Sequence, residues 1–144
     1  MSVRITVHGQ PAPQGSKRHV GNGVMIEQSA KVKPWRQDVK NAAADAMHYG
    51  AVPLLAGPLG MTVVFTLPKP LSAPKRRRTW PCRRPDLDKL LRSTLDGLTG
   101  EVFADDAQIV SLRAAKAYPG EFDSGPQSGT LDRPGATIYV WEVG

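Results

Sequence analysis

One stretch limits what this chain can fold into more than any other: Leu59-Gly-Met-Thr-Val-Val-Phe-Thr-Leu67, uncharged, rich in β-branched residues and stopped by Pro68. Such a run is too short for an ordinary helix and predicts a central strand. A central strand needs neighbours on both sides. Alternating segments supply them at Val3 to His8, at Ala107 to Tyr118 and at Ala136 to Val143, and Gly21-Asn-Gly23 suggests a short hairpin. Two segments carry helical spacing instead. From Pro34 to Tyr49, Trp35, Val39, Ala42, Ala43, Ala46 and Met47 fall on one face, with Pro34 suited to a first turn; from Asp86 to Gly100, Leu87, Leu90, Leu91, Thr94, Leu95 and Leu98 do the same. The order strand, hairpin, helix, strand, helix, strand, strand predicts an α+β fold, a mixed sheet covered by two helices.

The length, 144 residues, suits one domain spanning 1–144. No apolar run approaches the ~20 residues that cross a bilayer, and the N-terminus lacks a basic patch followed by an apolar stretch; the expectation is a soluble, cytoplasmic protein without membrane contact. Cys82 is the only cysteine, which excludes an intrachain disulfide and a cysteine-built zinc site. His8, His19 and His48 share no ligand-like spacing.

Nineteen Lys and Arg against thirteen Asp and Glu give a net charge of +6, a balance that favours polyanionic partners. The distribution is more telling than the total. Nine of those cations (Lys69, Lys75, Arg76, Arg77, Arg78, Arg83, Arg84, Lys89, Arg92) lie between 69 and 92, most of them in a proline-rich segment, Pro68 to Pro85, that should be an exposed loop. Overlapping them is the densest group of acids: Asp86, Asp88, Asp96, Glu101, Asp105 and Asp106. Gathered carboxylates repel one another and call for a compensating cation. Magnesium fits, because it takes hard oxygen ligands and is commonly held by one or two carboxylates together with substrate phosphate oxygens. In an extended entry to the second helix, Asp86 and Asp88 would point to the same side, and Asp105 or Asp106 could close the site from across the fold. A purely structural reading stands beside this one. Asp86 suits a helix N-cap, Asp88 a first-turn acid, Asp105-Asp106 a turn, and Asp96 an i, i+4 partner for Arg92.

The segment PDLDKLLRSTLDGLTGEVFADDAQIV resembles the signature of the RusA family of Holliday junction resolvases: an acidic pair opening a helix, an internal LD, and a DDAQV-type end. Weaker similarity extends over most of the chain. The resemblance implies a magnesium-dependent endonuclease that acts as a homodimer, one site per subunit, and makes paired symmetric nicks in a four-way DNA junction during recombination and repair. It implies Asp86, Asp88 and Asp106 as metal-binding and catalytic acids, with Asp105 accompanying them. It also implies DNA contact by Lys17 and Arg18 after the first strand. Two positions depart from the family pattern: Lys89 stands where the family has Asn, and Arg92 where it has a catalytic Lys. Arginine keeps the charge and can brace a phosphate with two donors, but its pKa above ~12 makes it a poor proton donor, so Arg92 is assigned electrostatic stabilisation.

Lys75, Arg76, Arg77 and Arg78, with Arg83, Arg84 and Lys89, are further candidates for phosphate contact. Trp80, after the basic run, is read first as a packing anchor and second as a wedge at an opened junction. Two alternatives accompany the junction-resolving reading: a nuclease of the same kind that prefers flaps or forks, and a non-catalytic DNA-binding protein whose acids are structural.

Overall fold

The structure, a computed structural model, describes residues 1–15, 17–19, 25–27, 30–120 and 128–144, with backbone alone for 17–19 and 25–27. Its strands are β1 (Ser2–His8), β2 (Lys17–His19), β3 (Met25–Glu27), β4 (Leu59–Thr66), β5 (Ile109–Ala117) and β6 (Gly135–Glu142); its helices are α1 (Val32–Tyr49) and α2 (Leu87–Leu98). The fold is α+β. Four strands form one mixed sheet in the order β1-β6-β4-β5, in which β1–β6 and β6–β4 are antiparallel and β4–β5 is parallel. β2 and β3 pair antiparallel as a separate ribbon, as a hairpin requires, although its expected turn, residues 21–23, lies outside the described residues.

β4 is indeed central, flanked by β6 and β5, and nearly every residue along it is buried. Its inward-facing Met61, Val63 and Phe65 meet Val3, Ile5 and Val7 of β1 and Ala136, Ile138 and Val140 of β6 in one core. α1 and α2 lie over this face. α1 buries Val32, Trp35, Val39, Ala43 and Met47, a stripe of three- and four-residue steps, and begins two residues before Pro34. Pro34 is thereby the third helical residue, where the missing N–H has no intrahelical acceptor to lose. The helices approach closely at Gly97, where an added Cβ would sit 2.9 Å from Val39 Cβ. Any side chain there would push α2 off α1.

The parallel β4–β5 pair decides where the site residues go. Parallel neighbours need a crossover, and α2 provides it, running back along the sheet from the C-terminal ends of β4 and β5 to their N-terminal ends. No helix among the described residues is long and apolar enough to cross a membrane.

Candidate active site

The strands β4 and β5 deliver the chain to the N-terminus of α2. Lys116, near the end of β5, sits in register with buried Phe65 and turns its ammonium to the incoming loop, donating to the carbonyls of Arg83 and Pro85, each at 3.0 Å. A lysine at an inward-facing strand position is a signal the sequence offered, because such a charge needs a fixed partner. From the other side the loop after β1 is pinned to α2. Ser93 Oγ donates to the Ala12 carbonyl at 2.6 Å, the Gln14 N–H donates to the Lys89 carbonyl at 2.9 Å, and Arg36 of α1 donates to Gln14 Oε1. Between these loops opens a cleft of about 830 Å³ whose charged lining is Lys31, Arg83, Arg84, Lys89 and one carboxylate, Asp86. The basic surround expected from the sequence is there for Arg83, Arg84 and Lys89, with Lys31 as an unforeseen fourth cation.

Asp86 occupies the N-cap position of α2 with an extended backbone, yet its side chain makes no capping hydrogen bond. Its nearest cation is Lys89 Nζ at 3.9 Å, both groups being about half exposed. An exposed pair at that distance contributes little and leaves the carboxylate open to other ligands. Asp88 follows inside the first helical turn, exposed, and makes no hydrogen bond or ion pair among the described residues. The expectation that Asp86 and Asp88 share a side by strand alternation is therefore corrected. Asp86 is extended but the chain is helical from Leu87, so strand alternation does not relate the two side chains. On the same exposed face stand Arg92, without an ion pair among the described residues, and Asp96, whose partner is Arg36 of α1 at 3.7 Å and not Arg92. The closeness of α1 and α2 at Gly97 explains that exchange of partners.

Asp105 and Asp106 lie at the other end of β5. Asp105 is spent on structure: its Oδ1 accepts the Ala107 N–H at 2.8 Å and caps the single 3-10 turn Asp106–Gln108, which also delays the start of β5 to Ile109. Gln108, which the sequence reading passed over, is the clamp of this corner. Its Oε1 accepts from the backbone N–H of Ala104 and Asp105, and its Nε2 donates to the carbonyls of Leu55 and Gly57. Asp106 projects from the clamped turn, exposed. We expect Gln108→Leu to lower unfolding free energy by about 1–3 kcal/mol, since four hydrogen bonds lose their side-chain partner and part of the backbone left behind is shielded from water. Urea denaturation checks this, and an unchanged midpoint would mean that water replaces the clamp.

A helix of twelve residues separates these two corners, about 18 Å along its axis. Asp106 thus does not close on Asp86 and Asp88 within one chain, contrary to the sequence expectation. Among the described residues no three acidic, histidine or cysteine side chains come together as a metal site. The donor chemistry nevertheless suits a hard cation: Asp86 is uncapped, Asp88 has no partner among the described residues, and the magnesium pattern needs only one or two carboxylates with phosphate and water completing the shell.

Of the remaining candidates, Lys75, Arg76, Arg77 and Arg78 are exposed on the irregular loop between β4 and α2. Lys17 and Arg18 lie on β2, their side chains outside the described residues. Trp80 is 54 % exposed and so is no packing anchor; the buried anchor of this fold is Trp35.

The family model for endodeoxyribonuclease RusA matches residues 8–123, from the end of β1 through the α2 crossover to just beyond β5. A Bacillus subtilis (strain 168) protein, described as the uncharacterized protein YqaN, is 30% identical over 130 residues, which cover 83% of this chain and 89% of that one. With the acid-bearing crossover and its basic cleft inside the matched region, the chain belongs to the RusA endodeoxyribonuclease family.

Proposed function

We propose that this protein is a magnesium-dependent endonuclease that resolves four-way DNA junctions by paired symmetric nicks, working as a homodimer. The observation that carries the reading is the uncapped Asp86 in a cleft whose other charges are cations, with Asp88, which has no hydrogen bond or ion pair among the described residues, two positions further on. A structural acid at the start of a helix would be spent on the backbone N–H groups, as Asp105 is. Asp86 and Asp88 would hold the metal, which when bound supplies Lewis-acid stabilisation of the scissile phosphate and a water of lowered pKa. Arg83, Arg84 and Lys89 position the phosphodiester backbone in the cleft, with Lys75 to Arg78 extending the grip along the duplex. The N-terminal end of α2 adds the helix dipole and its free N–H groups to the same anion. Arg92, one turn further, bears on charge that develops in the transition state and takes no part in proton transfer.

The position of Asp106 supports the dimer. β5 is the edge strand of the sheet and exposes Val110 (63 %) and Leu112 (42 %), an apolar edge of the kind that proteins cover. Antiparallel pairing of β5 with its copy in a second chain would lay the start of one strand against the end of the other. The partner subunit's Asp106 would then approach Asp86 and Asp88, giving two equal sites across a two-fold axis, the symmetry that paired nicks in a four-way junction require.

The test is cleavage of labelled four-way junction, replication fork and linear duplex, each with Mg²⁺ and with EDTA. Paired nicks in the junction, abolished by EDTA, are expected. Preferential cutting of the fork would move the substrate to another branched form, and tight metal-independent binding without cleavage would make the acids structural.

A further inference from the structure

The helices cover one face of the four-stranded sheet, and on the other face two neighbouring rows of side chains stand out. The register puts Arg4, Tyr139, Thr62 and Arg113 in one row across all four strands, and Ser2, Trp141, Gly60 and Ser111 in the next. Tyr139 and Trp141 are stacked, centroids 5.2 Å apart and planes inclined by 26°. The Arg4 guanidinium lies 5.8 Å from the centre of the Tyr139 ring. Gly60 makes this arrangement possible: a Cβ there would stand 2.3 Å from Trp141 Cζ2, so the indole lies down against the β4 backbone. Arg113, exposed, closes the row on the edge strand, and between it and Arg4 is a depression of about 290 Å³ over Thr62, bordered by Gly129. Neither row contains a carboxylate. The lower part of the face is different, because the turn at 128–131 packs on it, with Thr137 Oγ1 donating to the Gly129 carbonyl and Thr66 Oγ1 accepting from the Leu131 N–H.

A face that joins partly buried stacked rings to exposed arginines has two kinds of occupant to choose from: a polyanion with planar groups, or another protein surface. A second copy of this chain is disfavoured on this face by charge, because face-to-face contact would set guanidiniums against guanidiniums with no acid in either row to answer them. Unpaired nucleic acid meets both features. Its bases present π-faces to Tyr139 and Trp141, and its phosphates present charge to the flanking guanidiniums. Three strand spacings separate Arg4 from Arg113, about 14 Å between backbones, so the two cations can hold separate phosphates of one strand.

We propose that this open face is a binding platform for single-stranded DNA, with bases stacking on Tyr139 and Trp141 and the backbone held by Arg4 and Arg113. The platform is on the side of the sheet away from α2, so it goes beyond the cleavage site and needs no metal. It would let the enzyme retain an unpaired arm or displaced strand while the cleft engages duplex.

The full chain is titrated against fluorescein-labelled oligothymidylate twelve nucleotides long, in EDTA, with anisotropy as the readout, so the result is independent of whether the cleavage reading holds. Arg4→Glu and Tyr139→Leu are each expected to weaken binding about tenfold or more, and Arg4→Ala to reduce the log–log salt slope by about 0.7. Arg113→Glu, at the far end of the same row, is a second charge reversal that does not touch the aromatic pair and should weaken binding similarly. Unchanged affinity in Arg4→Glu and Arg113→Glu, or loss of binding only in the cleft variant Arg83→Glu, would overturn the proposal. So would conversion of a dimer to a monomer by Arg4→Glu in sedimentation, which would make this face a contact between copies.

Discussion

Asp88→Asn and Asp106→Asn proteins, each inactive alone on a four-way junction, should regain nicking when mixed and allowed to exchange subunits. Each substitution removes one charged oxygen donor while keeping the side chain's size, and loss of such a group from a phosphate-cleaving site costs on the order of 10²–10³-fold or more in rate. Recovery on mixing depends on geometry alone. Asp88 stands in the first turn of α2 and Asp106 at the far end of the crossover, about 18 Å of helix away. A site made within one chain is broken in every subunit of the mixture, and no activity returns. A site shared across the two-fold is different: in a mixed dimer, the Asp88 of one subunit and the Asp106 of the other are both intact at one of the two positions. With free exchange, about a quarter of all sites are restored. The product should be single nicks, because each mixed dimer has one working site and paired incision needs two. Continued inactivity, with exchange verified by energy transfer between labelled subunits, would place all ligands in one chain and remove the argument for β5 pairing.

The carboxylate distances also show what could be read from the sequence and what could not. Local pattern was legible: the uncharged run at Leu59–Leu67 is the central strand, and the stripes through Trp35 and through Leu90 are buried helix faces. Those features follow from a period of two or of 3.6, which a single segment displays by itself. The parallel pairing of β4 with β5 is a long-range fact that no segment displays, and it sends Asp106 to the opposite end of the sheet from Asp86. The partner of Asp96 failed for the same reason, since Arg36 comes from another helix and competes successfully with Arg92 one turn away. Asp105 shows the reverse case. Its capping of the turn with Gln108 is local and was available as a structural reading of the acid pair, so the sequence distinguished the two neighbouring acids less sharply than it could have. The Gly60–Trp141 contact was invisible because it joins positions 81 apart on adjacent strands.

Trp35→Ala is expected to be the most destabilising single change in the helical layer, lowering unfolding free energy by about 3–5 kcal/mol. Trp35 is fully buried between the sheet and α2, and its Nε1 donates to Thr94 Oγ1 at 3.1 Å; Thr94 in turn donates to the Leu90 carbonyl at 2.8 Å. Removal of the indole therefore leaves a cavity and releases a side-chain hydrogen bond that ties the buried faces of the two helices. For a domain of this size, with total stability of roughly 5–15 kcal/mol, the melting temperature should fall by roughly 10–20 °C. Trp35→Phe separates the two contributions, keeping most of the volume without the donor. Because Thr94 retains its bond to Leu90, the loss in that variant should be nearer ~1–2 kcal/mol. The consequence for the site is positional. α2 carries Asp86 and Asp88 on its first turn, so whatever loosens its seat on Trp35 loosens the carboxylates with it. At a temperature where Trp35→Phe is still folded, junction nicking should fall more than DNA binding does, since binding rests on flexible loop cations and cleavage on placement. Equal loss of both, or a stability change below about 1 kcal/mol in Trp35→Ala, would show that α2 is held to the sheet by its own leucines and that the indole fills space without setting the site.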